Sequence, residues 1–320
     1  MRRKPIIIVH GQPKSIFFEI FFKSLSIKKI ISPIILVCSA DLFALNAKKY
    51  KLKKKINFIN SKLTNAKLIN NYVYILDIKL KKNVINKIQL NYNKEYLKKC
   101  FNESFKLLKK NITHKFLNGP INKKDFLGKD YLGITEYISN SFNQKKTGML
   151  IYNNKLSVCP LTTHLPIKLV AKKISKSLVQ NKIKIINDFY IDKLKFKPKI
   201  AVTGLNPHCE SISSFNEDEK IILPAIKFAK KHGISVSGPY PADTIFLKQN
   251  RKKFNVILGM YHDQVLTPLK TLYEYDAINI TMGLPFIRVS PDHGPNEKMV
   301  NKNLSNPTSL FKALEFLDNN

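Results

Sequence analysis

An α/β fold built on a largely parallel sheet is predicted by two features of this 320-residue sequence. Short β-branched runs alternate with longer amphipathic stretches, the pattern of repeated strand and helix units. Apolar residues make up 44% and charged residues 24% of the chain, enough to bury a sizeable core and too apolar for a disordered chain.

In chain order, PIIIVH reads as a strand, residues 15 to 29 as a helix, PIILVC as a second strand and SADLFALNAKKY as a second helix. Further strands are predicted at INFIN, YVYILDI, KFLNGP, GMLIY, LSVCPL, KIAVTGL, NVILGM and AINITMG. The stretch from about residue 48 to 95 is Lys- and Asn-rich, and its charge run at Lys51 to Lys55 reads as a solvated loop. In GPYPADTIF, Gly238, Pro239 and Pro241 read as a rigid loop, and QVLTPLKTL as a helix that Asp263 would open as N-cap. The last helix is signalled by Asn306 as N-cap, Pro307 at its first position and Leu310, Leu314 and Leu317 on one face. There is no internal repeat, and no Pro/Gly/Ser linker marks a domain boundary.

The formal charge of +33 points first to a polyanionic partner or an anionic membrane surface. Only Arg2, Arg3, Arg251 and Arg288 are arginine, against 51 lysines and 31 asparagines. Nucleic-acid recognition draws on the guanidinium for bidentate contacts, so a basic chain almost without Arg reads as AT-rich codon usage, with neither nucleic acid nor membrane expected as partner. A non-enzymatic nucleic-acid-binding protein stays the alternative, because phosphate contact tolerates Lys.

The cysteines, Cys38, Cys100, Cys159 and Cys209, lie 50 or more residues apart with no C-x-x-C pair, so reduced buried thiols are expected. The apolar run in MRRKPIIIVHG is about five residues long, short of a signal-peptide core. Charge interrupts both IFFEIFFKSL and IISPIILVCSAD before they reach a membrane span, so a soluble, cytoplasmic protein is expected.

Three of the seven histidines share one context: CPLTTHLP, VTGLNPHCE and LGMYHDQVL place His164, His208 and His262 just past apolar runs. The carboxyl ends of strands in an open α/β sheet face the ligand crevice, where three imidazoles can converge on a metal and leave coordination positions open for a substrate. Each alone also fits a hydrogen-bonded loop residue. Asp263 and Asp243 are placed to take the second ring N–H of such ligands. Downstream, Lys270, Asn279 and Arg288 follow in a stretch with little other positive charge. An Arg kept in a chain that otherwise uses Lys points to bidentate contact with phosphate or carboxylate, or else to an ordinary ion pair. No G-x-G-x-x-G is present, and GKDYLGIT does not complete a P-loop.

With LNGPINK upstream, the segments LTTHLP, VTGLNPHCE, GPYPADTIF, YHDQVLTPLKTL and INITMGLPFIRVSPDHG resemble the signature segments of the 4-hydroxythreonine-4-phosphate dehydrogenase family (PdxA-like) of pyridoxine biosynthesis, collinear from about residue 116 to 315. The resemblance implies a fold like the isocitrate and isopropylmalate dehydrogenases. A single catalytic unit, 1–320, would comprise one α/β subdomain at about 1–130 plus 285–320 and a metal and substrate subdomain at 131–284, flanking a cleft, in a homodimer with shared active sites. It implies NAD or NADP and a divalent metal (Zn, Mg, Mn or Co), and oxidation with decarboxylation of 4-phosphooxy-L-threonine to 3-amino-2-oxopropyl phosphate. Another phosphorylated hydroxy acid, such as a phospho-threonate, is the alternative substrate.

Carried over residue by residue, the metal ligands are His164, His208 and His262; the catalytic residues Asp243, Asp263 and Lys270; the substrate contacts Thr135, Lys270, Asn279 and Arg288. Three departures stand out. Ile134 replaces the histidine of the family's G-H-T-E. GQPKSIFFE at residues 11 to 19 replaces G-D-P-A-G-I-G-P-E, and Pro295 and Asn296 replace Thr-Ala.

Overall fold

Runs such as IIIV and IILVC carry branched apolar side chains at every position, which suits strands covered on both faces. In the computed structural model they are the first two strands, and both are fully buried. The structure describes residues 3–50, 54–60, 68–80, 90–128, 130–131, 133–211, 215–291 and 294–320. Residues 51–53 of the predicted charged loop, and Asp292 and His293 of the DHG segment, lie outside them. The chain divides into two compact units, Met1–Ile138 with Pro285–Asn320, and Ser139–Leu284.

The first unit holds β1 (Ile6–Val9), β2 (Ile34–Cys38), β3 (Ile56–Ile59), β4 (Val73–Asp77), β5 (Lys115–Asn118) and β12 (Ile287–Pro291). Their order is β3-β4-β2-β1-β5-β12, and the pairs are parallel. Its helices are α1 (Phe17–Ile27), α2 (Ala40–Lys49), α3 (Leu90–Lys109), α4 (Lys123–Leu127), the start of α5 (Ile134–Ser141) and the C-terminal α12 (Thr308–Asn319). The apolar residues of α1 run all round it, and Phe17, Phe18, Phe21 and Phe22 are all buried. Its buried Glu19 accepts from Lys23 Nζ at 2.8 Å and from the Ser305 N–H at 2.7 Å. Helix α12 begins at Thr308, one residue later than predicted, because the Asn306 side chain accepts the Thr308 N–H at 2.9 Å and leaves Pro307 just outside. Leu310, Leu314 and Leu317 are buried as their spacing requires.

The second unit holds β6 (Gly148–Tyr152), β7 (Ser157–Pro160), β8 (Ile200–Thr203), β9 (Val236–Tyr240), β10 (Val256–Gly259) and β11 (Ile278–Met282), in the order β11-β6-β7-β10-β8-β9. Strand β6 is antiparallel to both neighbours, while β7, β10, β8 and β9 run parallel. The helices are α6 (Val170–Lys173), α7 (Lys176–Phe189), α8 (Leu223–Lys231), α9 (Ala242–Ile245), α10 (Lys248–Arg251) and α11 (His262–Tyr273). Val158, Ala201, Ile257, Val265 and Leu269 form the centre of its core.

Two strands differ from expectation. The predicted rigid loop is strand β9 up to Tyr240, and LPFIRVSPDHG contains β12. Asp263 does not cap α11, since the cap position is Tyr261 and Asp263 lies in the first turn. All four cysteines are free; three are buried, but Cys209 is only half-buried.

Candidate active site

Four neighbouring parallel strands, β7, β10, β8 and β9, end on one edge, and the segments that follow them carry His164, His262, His208 and Asp243 in that order, His262 and Asp243 in the first turns of α11 and α9. The rings of His164 and His262 lie 6.0 Å apart, centroid to centroid. His262 Nδ1 is 2.7 Å from Asp263 Oδ1, a contact that engages one ring nitrogen and leaves Nε2 for another partner. His208 is exposed, and among the described residues it makes no hydrogen bond, ion pair or ring contact.

Side chains behind the strand ends hold these loops in place. Gln264 Oε1 accepts from the Met260 N–H at 2.7 Å and from Thr203 Oγ1 at 2.8 Å, while its Nε2 donates to the Gly204 carbonyl at 2.8 Å. The ends of β10 and β8 are thereby tied together. Thr162 Oγ1 donates to the Met260 carbonyl at 2.8 Å, joining the end of β7 to β10. Buried Asp218 accepts from the N–H groups of Leu205 and Asn206 at 2.7 and 3.1 Å.

The donor set suits a divalent cation: three imidazoles, with carboxylates beside them. Burial, followed by the charge of Asp218, raises the Cys209 thiol to about 11, so it stays protonated and does not compete as a thiolate. The structure brings His164 and His262 together; among the described residues, however, no three His, Cys, Asp or Glu side chains converge closely enough to hold an ion. In the same unit, Lys270 is half-buried on α11, and desolvation lowers its ammonium pKa. Asn279 on β11 has a buried Oδ1 with no hydrogen-bond donor among the described residues, an acceptor that a ligand N–H or O–H would satisfy.

Thr135 and Arg288 belong to the other unit. Thr135 lies in the first turn of α5, directly after Ile134. Arg288, on β12, is 1% exposed. Its Nε donates to Asn118 Oδ1 at 2.8 Å, and Asn118 Nδ2 donates onward to the Gly119 carbonyl at 3.0 Å. This bond fixes the plane of the guanidinium, while burial pulls its pKa down to about 10 against the charge of Glu136.

The two altered loops meet. Ile16 N–H donates to the Pro295 carbonyl at 3.1 Å, and Gln12 Nε2 donates to Glu297 Oε1 at 3.0 Å. Gln12 Oε1 accepts the Asn122 N–H at 3.0 Å. An Asp at position 12 could accept but not donate, so the amide suits a loop that must do both. Gly11 has φ 86°, and a Cβ there would run into the Pro120 carbonyl, which accounts for the glycine.

Asn118, Gln264 and Asp218 carry no signal of their own in the sequence. Asn118 ends a strand run, Gln264 follows the His-Asp pair and Asp218 sits in an acidic run that reads as surface.

The architecture is that of the isocitrate dehydrogenases: the fold matches isocitrate dehydrogenase from Methylococcus capsulatus with a TM-score of 0.50 over 99% of this chain and 85% of that one, at 10% identity, a likeness of fold alone. Within that class, the profile of the pyridoxal phosphate biosynthetic protein PdxA matches residues 29–317, and the chain belongs to this family.

The 4-hydroxythreonine-4-phosphate dehydrogenase of Sulfurihydrogenibium is 41% identical over 200 residues, 61% of this chain and 62% of that protein, so the chain spans about three-fifths of that relative's length. The enzyme of the same name from Wigglesworthia glossinidia brevipalpis is 33% identical, over 97% of this chain and 94% of its own. D-threonate 4-phosphate dehydrogenase of Salmonella typhimurium is 32% identical over 92% of each. The crystal structure of 4-hydroxythreonine-4-phosphate dehydrogenase from Klebsiella pneumoniae superposes with a TM-score of 0.84 at 26% identity, covering 98% of both chains. Among the described residues, no helix is long and apolar enough to cross a membrane.

Proposed function

We propose that this protein is a metal-dependent, NAD- or NADP-linked dehydrogenase of pyridoxal phosphate biosynthesis. It oxidises the C3 hydroxyl of 4-phosphooxy-L-threonine, and the resulting 2-amino-3-oxo acid loses carbon dioxide to give 3-amino-2-oxopropyl phosphate. The observation that carries the proposal is the placement of His164, His262 and His208 beyond three adjacent parallel strand ends.

These three residues would hold the divalent cation, which supplies Lewis acidity at the substrate hydroxyl while the nicotinamide accepts hydride. Asp263 orients His262 through its Nδ1, and Asp243 supports the same ligand set from the loop after β9. Lys270 and Arg288 bind the phosphate dianion, whose binding energy positions the reacting carbon. Thr135 and Asn279 add hydrogen bonds to the substrate, the latter through its buried Oδ1. The enzyme would act as a cytoplasmic homodimer. Its metal and substrate residues would lie largely in the second subdomain.

A second reading is favoured by Ile134 and by the Salmonella typhimurium relative that acts on D-threonate 4-phosphate. Apolar Ile134 gives no hydrogen bond where the family places an imidazole, so the substrate group there would be different. The test is reduction of NAD and NADP with 4-phosphooxy-L-threonine and D-threonate 4-phosphate in turn, after chelation and after return of Zn, Mg, Mn or Co. Metal-restored turnover of 4-phosphooxy-L-threonine is expected. Full activity in stripped protein would sink the metal role, and turnover of D-threonate 4-phosphate alone would select the second reading.

A further inference from the structure

We propose that Asp218 is the positioning residue that anchors the turn carrying His208; the inference rests on the reading of His208 as a metal ligand. His208 and its neighbour Cys209 both have left-handed backbone, with φ 56° and 62°. Positive φ is uncommon outside glycine, though His tolerates it better than most residues, and two such residues in succession persist only where the surroundings impose them. The His208 side chain has no hydrogen bond among the described residues; its turn is closed by the Cys209 N–H donating to the Asn206 carbonyl at 3.1 Å and the Glu210 N–H to the Pro207 carbonyl at 3.0 Å, with Asn216 Nδ2 donating to the Cys209 carbonyl at 3.5 Å.

The segment that leads into this turn, and supplies its Asn206 carbonyl, is anchored by the Asp218 carboxylate, 1% exposed. One oxygen accepts the Leu205 N–H at 2.7 Å; the other accepts the Asn206 N–H at 3.1 Å and Asn206 Nδ2 at 3.0 Å. Asp218 is itself held by its own N–H, which donates to Asn216 Oδ1 at 2.9 Å. A Cβ at Gly204 would lie 2.7 Å from both Asp218 Oδ1 and Cys209 Sγ, so carboxylate, thiol and backbone are packed tightly beneath the His208 turn. Both carboxylate oxygens are used as acceptors. An amide would turn a donor toward a backbone N–H and release one end of the 205–206 segment.

Asp218→Asn, Asn206→Ala and His208→Ala are compared with the wild-type full-length protein by competitive zinc titration and by the visible spectrum of the cobalt-loaded form. Asp218→Asn should weaken zinc binding about ten- to hundredfold and alter the cobalt spectrum, which a purely structural role would leave unchanged. Asn206→Ala, which removes the Nδ2 bonds to Asp218 and to Glu217 and keeps both main-chain bonds, should weaken binding by about threefold.

If Asp218→Asn keeps the wild-type affinity and spectrum while His208→Ala loses both, the inference alone fails. If Asp218→Asn does not fold, Asn206→Ala decides, and an unchanged affinity and spectrum overturn the proposal. If His208→Ala itself binds zinc and cobalt like the wild type, the ligand reading falls and this inference falls with it.

Discussion

His10 and His208 both follow the end of a parallel strand, yet the fold gives them opposite surroundings. His10 leaves β1 into the core of the first unit, where it stacks on Phe18 with ring centroids 5.4 Å apart and places Nε2 2.8 Å from Tyr96 Oη. His208 leaves β8 of the second unit into solvent. Position after a strand therefore does not make an imidazole a ligand. After His10 the chain turns inward onto a helix through GQPKSIFFE, whereas in LNPHCE the residues before His208 are held by the buried Asp218 carboxylate.

The largest expected effect separates the two directly. His208→Ala should lower kcat/KM on the phosphorylated substrate by more than about 100-fold, beyond the range expected for losing an outer-shell partner. Its unfolding free energy should stay within about 0.5 kcal/mol of wild type, because the side chain is exposed and bonds to nothing in the described structure. Steady-state kinetics and denaturant titration on one preparation check both halves. A stability loss of several kcal/mol would place His208 with His10 as a core histidine.

A smaller effect belongs to Asp263. Asp263→Asn keeps the size of the side chain and removes the charge that favours a fixed His262 ring, so metal affinity should fall about 10- to 100-fold with little change in thermal midpoint. Unaltered affinity, measured by chelator competition, would reduce the 2.7 Å contact to a surface pair of the kind that contributes little.

Much of this was legible from local pattern. Buried parallel strands are nearly continuous runs of branched apolar residues, so IIIV, IILVC, IAVT and VILG announce themselves. Strand β9 does not, because VSGPY carries glycine and proline that read as a turn. The structure accommodates Pro239 because β9 closes the row after β8, where a missing N–H breaks no ladder on the outer side, and its pairing with β8 is already irregular between Ala201 and Thr203.

Of the candidate site, residues with distinctive chemistry stood out, Arg288 above all as one of four arginines among 51 lysines. Asn118, Gln264 and Asp218 did not. Their importance lies in which distant backbone groups they reach, for example the 170 positions between Asn118 and Arg288, and that spacing appears only once the strands are paired.

The smallest predicted effect tests the other side of the comparison, through pH. Burial lowers the His10 pKa from 6.5 to about 3, so the folded state keeps this ring neutral over a range in which the unfolded chain protonates it. The stability contributed by neutral His10 is therefore complete above pH 6.5, falls as pH drops below 6.5 and levels off near 3, with a slope of at most about 1.4 kcal/mol per pH unit. Carboxylates elsewhere also respond to acid, so the informative quantity is the difference between wild type and His10→Gln, whose side chain does not titrate. That gap should be widest at pH 7, since the variant loses stacking on Phe18, and should narrow from pH 6.5 to pH 4 as wild type bears a penalty the variant escapes. Urea titrations at pH 7, 5.5 and 4 measure it. A gap that does not change with pH would mean that His10 protonates in place, and the core of the first unit would then tolerate a charged imidazole.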